Sequence, residues 1–291
     1  MELRQVEYAV GVVDHGGFGR AAAALHVSQP SLSQGVAKLE AELGLALFHR
    51  HGRRVVPTVA GEAFLGPARR LLRESRTARE AVAAVAGLRA GRLDLVALPT
   101  LAADPLAPLV GAFRRRYPEV AVRIVEPEHA DAVVALVRDG HCELGLAELP
   151  VTASGVVTEH LFDDELLVVF PPGSRPPPGP LAGADLEAVP LVTSPAGTST
   201  RRLAERTLRA GGVEPRVVVE TDQREAIVPL VLAGAGAAFV TRPVAERAAA
   251  AGAVTAALNP PLRRPIGLVR PRGGSSPAAA AFAALARPPR R

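Results

Sequence analysis

Two hydrophobic rhythms meet near residue 90 of this chain, and no single packed layer satisfies both. Before that point apolar residues recur at helical spacing, interrupted by one hairpin-like stretch. Beyond it, short apolar runs alternate with helical segments. A chain of 291 residues patterned in this way divides into about two domains.

The first segment reads as short helices joined by tight turns. Leu3, Val6, Val10 and Val13 mark an amphipathic helix that Gly16-Gly17 breaks. Phe18 to Leu25 forms a second helix, whose four alanines let a neighbour approach closely. After the turn His26-Val27-Ser28, Pro30 suits the first helical position, where a missing N–H costs nothing. Ser28 or Gln29 is the cap. Leu32, Val36, Leu39 and Leu43 then form the core stripe of a third helix. Its opposite face carries Pro30, Gln34, Ala37 and Lys38, flanked by Ser31 and Ser33, with Glu40 and Glu42 beyond it. A slim, acid-free face of hydrogen-bonding residues fits a DNA major groove. The same residues also suit an ordinary solvated surface.

The run His49-Arg50-His51-Gly52-Arg53-Arg54-Val55-Val56 predicts a basic hairpin with Gly52 at its tip. Beside a helix-turn-helix, such a hairpin is a wing that reaches the sugar-phosphate backbone or minor groove. Thr58 caps a long helix, in which Pro67 is expected to cause a bend or break. Phe64, Ala68, Leu71, Ser75, Ala78, Val82 and Val85 alternate by four and three, a coiled-coil seam that implies a homodimer. Gly87 and Gly91 mark the end of that helix.

From Arg92 onward, strands are expected at Leu93–Leu98, Val120–Val125, Leu144–Ala147, Leu166–Phe170, Leu191–Thr193, Val217–Glu220, Gly234–Val240 and Pro265–Arg270. Helices are expected at Pro105–Tyr117, Asp131–Asp139, Thr200–Ala210, Arg224–Ala233 and Pro277–Ala286. This alternation predicts a parallel sheet covered on both faces.

Charge and composition narrow the function classes. The net charge is +5; residues 1–90 carry 12 Lys and Arg against 8 Asp and Glu, the remainder 22 against 21. The positive excess sits at the amino end, as a polyanion partner requires. The longest mostly apolar run, Ile227 to Val240, is 14 residues long and contains Pro229, too short for a membrane span. Met1-Glu2-Leu3-Arg4 does not begin a secretory signal, so the expected compartment is the cytoplasm and no membrane partner is expected. One cysteine, Cys142, excludes an internal disulfide and a Cys-rich zinc site. His141-Cys142-Glu143 suggests a thiol nucleophile only superficially, because Cys142 precedes a buried strand. No Gly-x-Ser-x-Gly elbow or phosphate-binding Gly-Lys loop is present. An enzyme is therefore not expected, nor is a cofactor or metal.

Leu3-Arg4-Gln5-Val6, Gly17-Phe18, Arg20-Ala21-Ala22, the run from Leu25 through Ser33, Leu39-Glu40, Leu43-Gly44, Leu47-Phe48 and Gly61-Glu62-Ala63 together resemble the amino-terminal signature of LysR-type transcriptional regulators. The similarity continues at Gly91-Arg92-Leu93, Phe113 to Pro118, Gly140 to Leu144 and Ala233 to Gly236, so it covers essentially the whole chain. The resemblance implies an α/β protein with an N-terminal winged helix-turn-helix. It further implies a two-lobed, periplasmic-binding-protein-like (type II) α/β effector domain.

The implied division is 1–58 for DNA binding, 59–89 for the dimerisation helix and 90–291 for the effector domain. One lobe is expected at about 90–162 plus 265–291, the other at about 163–264. Departures from the family pattern are Gly17 where a capping Ser is usual, Gly19 where Thr is usual, Gly35, and no basic residue near Gln34. Fewer charges on the recognition helix shift phosphate anchoring toward Arg50, Arg53 and Arg54.

For DNA, the expected base-edge or nearby backbone contacts are Gln29, Ser33, Gln34 and Lys38, with Ser28 and Pro30 opening the same surface. Ser31, Arg50, Arg53 and Arg54 are expected on phosphates. Arg20 meets either the DNA backbone or an intramolecular acid. For a small-molecule effector, open α/β sheets bind ligands beyond the carboxyl ends of their strands. That places Pro99, Thr100, Leu101, Glu126, Ser194, Thr198, Thr200, Arg201, Thr221 and Asp222 at the ligand site. The stretch from Thr193 to Thr200 offers hydroxyls and free N–H groups for an anion, with Arg201 or Arg202 adding charge; simple helix capping explains it equally well. The function expected is promoter binding as a homodimer or homotetramer, with an effector between the lobes and a readout through RNA polymerase. The alternative is an architectural DNA-binding protein with no effector response.

Overall fold

The computed structural model describes residues 1–51, 54–85, 91–127, 129–151 and 153–287. Gly52 and Arg53 of the expected hairpin tip, and Gly87, lie outside the described residues.

The amino-terminal unit is three helices and a hairpin. Helices α1 (Leu3–Asp14), α2 (Phe18–Ala24) and α3 (Gln29–Leu43) precede antiparallel strands β1 (Phe48–His51) and β2 (Arg54–Pro57). Tyr8, Ala9, Val12, Ala21, Ala22, Leu32, Val36, Leu39, Leu47 and Phe48 close their common core. Ser28, rather than Gln29, caps α3, and Pro30 takes its second helical position rather than its first. Leu43 leaves the expected core stripe and is exposed, because Gly44 turns left-handed (φ +70°) immediately after it and ends the helix. Gly35 explains how close α1 and α3 come: a Cβ there would lie 2.6 Å from the Tyr8 ring. The Glu40 carboxylate accepts from Leu47 N at 2.7 Å and Phe48 N at 3.2 Å, fastening α3 to the start of the hairpin.

Helix α4 (Val59–Val85) follows. Thr58 Oγ1 accepts from Gly61 N at 3.0 Å and donates to Ala46 O at 2.7 Å. The helix runs on through Pro67, so the proline does not interrupt it.

The remainder is built on β3 (Gly91–Ala97), β4 (Val120–Val125), β5 (Leu144–Glu148), β6 (Val156–Phe170), β7 (Pro190–Thr193), β8 (Arg216–Glu220), β9 (Ala238–Thr241), β10 (Val254–Ala256) and β11 (Leu262–Pro271). Its helices are α5 (Pro99–Leu101), α6 (Ala107–Arg116), α7 (Ala130–Arg138), α8 (Ser199–Ala210), α9 (Arg224–Leu232), α10 (Arg242–Ala250) and α11 (Pro277–Ala286). The sheet is mixed, which corrects the expectation of a parallel one. Strands β4, β3 and β5 are parallel, but β11 is antiparallel to β5 and β6, and β6 is antiparallel to β9 and β10.

Two strands belong to both halves of this domain. On β6, Leu161 lies in the first core and Leu166 in the second; on β11, Ile266 lies in the first and Leu262 in the second. The second half has a further apolar layer, from Leu167, Val169, Val192, Val231, Ala238 and Val240, on the other face of its strands. Strands β7 and β8 pair with each other, and a bridge between Leu191 and Ala237 links β7 to the start of β9. Two lobes joined by two long crossing strands result.

Candidate functional site

Helix α3 presents the surface expected of a recognition helix. Its buried side is Leu32, Val36 and Leu39. Gln29, Pro30, Ser31, Gln34, Ala37 and Lys38 are exposed on the other side, and Ser33 is half-buried. Ser28 and Ser31 are partly engaged locally: Ser28 Oγ accepts from Ser31 N at 3.2 Å and shares a 2.7 Å hydrogen bond with Ser31 Oγ. Lys38 Nζ meets Glu2 at 3.3 Å, both side chains well exposed, so the pair exchanges readily with another anion. Among the described residues, Arg20 is engaged with the backbone of its own turn. It donates Nε to His15 O at 2.5 Å and Nη2 to Gly16 O, closing the turn between α1 and α2. In the hairpin, Arg50 stands opposite Val55 and His51 opposite Arg54.

The expected seam of α4 is split between two duties. Ala68 is buried with Leu65 against Val6 and Val10 of α1, and Phe64 and Leu72 pack there too. Leu71, Ala78 and Val82 remain exposed, seven and four residues apart, as does Val59 at the start of the helix. The helix therefore uses one stripe to hold α1 and leaves another open.

A cavity of about 470 Å³ lies between the lobes. It gathers Pro99 and Thr100 from α5, Glu126 beyond β4, Ser194 beyond β7, and Thr200 and Arg201 from α8. Leu101 does not join them; it is fully buried in the core of the first lobe. Thr198 is buried beside the cavity, sharing a 2.6 Å hydrogen bond with Ser194 Oγ and donating to Pro195 O at 2.9 Å. Thr221 and Asp222 stand outside the lining, where Thr221 Oγ1 accepts from Gln223 N at 3.1 Å.

The electrostatics of the cavity differ from a ready anion seat. Arg201 donates to Glu205 at 2.6 Å, to Glu220, and to Ser194 O at 3.1 Å. The Glu205 hydrogen bond above all holds the Arg201 guanidinium charged, with its pKa raised. Its positive charge is thus already answered by two carboxylates. Arg202 lies 3.7 Å from Glu148. Much of the remaining wall is apolar, including Leu191, Val217, Ile227, Val228 and Phe239.

A residue that sequence reasoning missed ties the lobes together beside this cavity. The Arg264 side chain is wholly buried. It donates Nε and Nη2 to Asp164 Oδ2 at 2.9 and 2.7 Å, Nη1 to Ser199 Oγ at 3.2 Å, and Nη2 to Thr100 Oγ1 at 3.1 Å. Ser199 Oγ in turn donates to Glu148. Burial raises the Asp164 carboxyl above its ordinary pKa, and Arg264 only partly offsets this. The guanidinium thus joins both crossing strands to α5 on one side and α8 on the other.

Cys142 is buried, with Sγ donating to Leu95 O at 3.7 Å; burial pushes its pKa up to about 12. Such a thiol is no nucleophile near neutral pH. No helix among the described residues is long and apolar enough to cross a membrane.

A winged helix-turn-helix joined by a long helix to two α/β lobes around a cavity defines a class: DNA-binding regulators with a sensory domain. The comparisons make the family specific. Residues 3–62 match the bacterial regulatory helix-turn-helix of the lysR family, and residues 86–288 match the LysR substrate binding domain. The chain is 33% identical over 251 residues to the HTH-type transcriptional regulator TfdS of Cupriavidus pinatubonensis, covering 84% of each chain. It is 32% identical to the regulator ShiR of Corynebacterium glutamicum, covering 83% of each. Among solved structures it resembles a full-length OxyR point variant from Pseudomonas aeruginosa, with TM-score 0.78, 25% identity and coverage of 98% and 93%. It also resembles full-length CbnR in complex with its target DNA, with TM-score 0.65, 26% identity and coverage of 98% and 99%. The chain belongs to the LysR family of transcriptional regulators.

Proposed function

We propose that this regulator binds promoter DNA as a homodimer, or as a pair of dimers, by laying α3 in the major groove. The observation that carries this reading is the exposed, acid-free face of α3 set against its buried Leu32-Val36-Leu39 side. Gln29, Ser33, Gln34 and Lys38 read base edges or the adjacent backbone, with Ser28 and Pro30 opening that surface. Ser31 and the hairpin arginines Arg50, Arg53 and Arg54 hold phosphate. The open stripe of α4 pairs two copies, placing two recognition helices about 34 Å apart on an interrupted palindrome. The working division is 1–58, 59–89 and 90–291. The lobes are about 90–162 with 265–291, and about 163–264.

A small molecule occupies the cavity between the lobes, touching Pro99, Thr100, Glu126, Ser194, Thr200 and Arg201. The size and apolar wall of that cavity favour a sensory protein over an architectural one. Occupancy shifts the angle between lobes and thereby the arrangement of DNA-binding units, which RNA polymerase reads in the cytoplasm. The protein acts by binding and catalyses no reaction. The test is footprinting of the full-length protein on DNA flanking its own gene, against random duplex. Protection of a two-fold site, lost with Gln34→Ala plus Lys38→Ala, is the expected result; equal affinity for both duplexes overturns the reading.

A further inference from the structure

A second cavity, of about 380 Å³, lies where α1, α4 and the first lobe meet. It shares no lining residue with the cavity between the lobes. Among the described residues six arginines line it: Arg69, Arg73, Arg76 and Arg79 from α4, Arg92 from β3 and Arg123 from β4. Three carboxylates among the described residues line it as well, Glu7, Asp14 and Asp94, so this part of the wall carries an excess of three positive charges.

The pairing inside this cavity is uneven. Asp14 accepts from Arg69 at 2.5 Å, and Asp94 is held by Arg92 at 2.7 Å and by Arg76 at 3.6 Å. Arg76 also reaches Glu143 at 3.0 Å. Arg73 is different. It is only 7% exposed, yet among the described residues it makes no hydrogen bond or ion pair, and its Nη1 is a buried donor without a partner. Burial lowers its pKa. His141, which also lines the cavity, is held below its ordinary pKa by burial and by Arg69. A buried guanidinium with an empty donor is costly unless an acceptor arrives.

The wall also has a direction. On α1, Leu3, Glu7, Val10 and Asp14 face the cavity, while Tyr8, Ala9 and Val12 pack in the core with α3. The cavity therefore lies behind the DNA-reading unit, away from the recognition surface.

We propose that this cavity binds a small, multiply charged oxyanion, a phosphate ester or a polycarboxylate, with Arg73 as its buried anchor. Guanidinium groups match both chemistries through paired N–H donors. Bound there, the anion touches the DNA-binding unit, the connecting helix and the first lobe at once.

The test uses the full-length protein, melted at fixed ionic strength in chloride, pyrophosphate or citrate. Pyrophosphate or citrate at millimolar concentration is expected to raise Tm by about 3 °C or more over chloride. The stronger of the two identifies the phosphoryl or the carboxylate source. Arg73→Met, which keeps the apolar stem, is expected to abolish the rise while melting no lower than wild type in chloride. If that variant does not fold, Arg79→Gln on the exposed rim is expected to raise the anion concentration needed by about fivefold. Equal melting in all three salts, or an undiminished response in Arg73→Met or, failing that, Arg79→Gln, overturns the proposal.

Discussion

Arg264 and Asp164 stand directly opposite each other on the two strands that cross between the lobes, and both Nε and Nη2 of the arginine point at one carboxylate oxygen. The guanidinium is fully enclosed, so removing it strands a largely buried carboxylate without its partner. Arg264→Met should cost about 3–5 kcal/mol in urea unfolding, toward the lower end because Asp164 can take up a proton. Arg264→Met combined with Asp164→Leu should recover most of that loss. A double variant no more stable than the single one would show that the pair is not the source of the cost.

The same carboxyl gives a pH signature. Its folded pKa lies above its ordinary 3.8, because burial outweighs the pull of Arg264. Folding therefore takes up a proton here. The stabilising contribution is complete below about 3.8 and is lost as pH rises through the raised value. Stability measured against Asp164→Asn should thus be most favourable to wild type in acid and decline as pH climbs. The opposite slope would mean that Arg264 dominates the site.

On DNA, Gln34→Ala should cost about 1–3 kcal/mol at specific sites and little on random duplex. Arg50→Ala and Arg54→Ala should each lower the salt slope of binding by about one, weakening all sequences alike. Unchanged affinity and salt slope in both hairpin variants would remove the hairpin from the phosphate contacts.

The two stripes of α4 separate assembly from folding. Leu71→Asp or Val82→Asp should weaken self-association at least about tenfold in sedimentation, by placing a charge in an apolar contact. Ala68→Asp should instead lower the stability of the chain itself by about 2 kcal/mol or more, since Ala68 packs on α1. A Leu71→Asp chain that still sediments as wild type would put the partner elsewhere.

Cys142 should be inert. With its thiol pushed up to about 12, its alkylation at pH 8 should run about a thousandfold slower in the native chain than in urea. Native labelling at the unfolded rate would show that the thiol is not enclosed.

What the sequence disclosed follows the range of the interactions. Helices α1 to α4 rest on local spacing and caps such as Ser28 and Thr58, so they can be read directly. The cavity residues Pro99, Thr100, Glu126, Ser194, Thr200 and Arg201 were legible because strand ends in α/β folds converge. The first ten residues of β6 were not. His160, Asp163, Asp164 and Glu165 look like a polar loop until β11 is laid against them, with Arg263 and Arg264 opposite Glu165 and Asp164. Helix α10 hid in an alanine-rich stretch with little apolar contrast. Arg264 and Arg263 are neighbours of the same type, and only the pleat sends one to the interior and leaves the other exposed. Arg201 was legible as a charge but not as a fully committed one: Glu205 stands four residues on along the same helix, whereas Glu220 comes to it from β8.

The crossing strands β6 and β11 form a two-legged ribbon, antiparallel and hydrogen-bonded from Leu166 and Leu262 to Val156 and Pro271. A ribbon of this kind resists stretching and shear but yields to torsion about its long axis. The halves of the domain accordingly have one soft coordinate. A molecule seated between them would be felt at a distance through a turn of that ribbon, whose register shifts between Ile266 and Gly267, two residues beyond the Arg264–Asp164 pair.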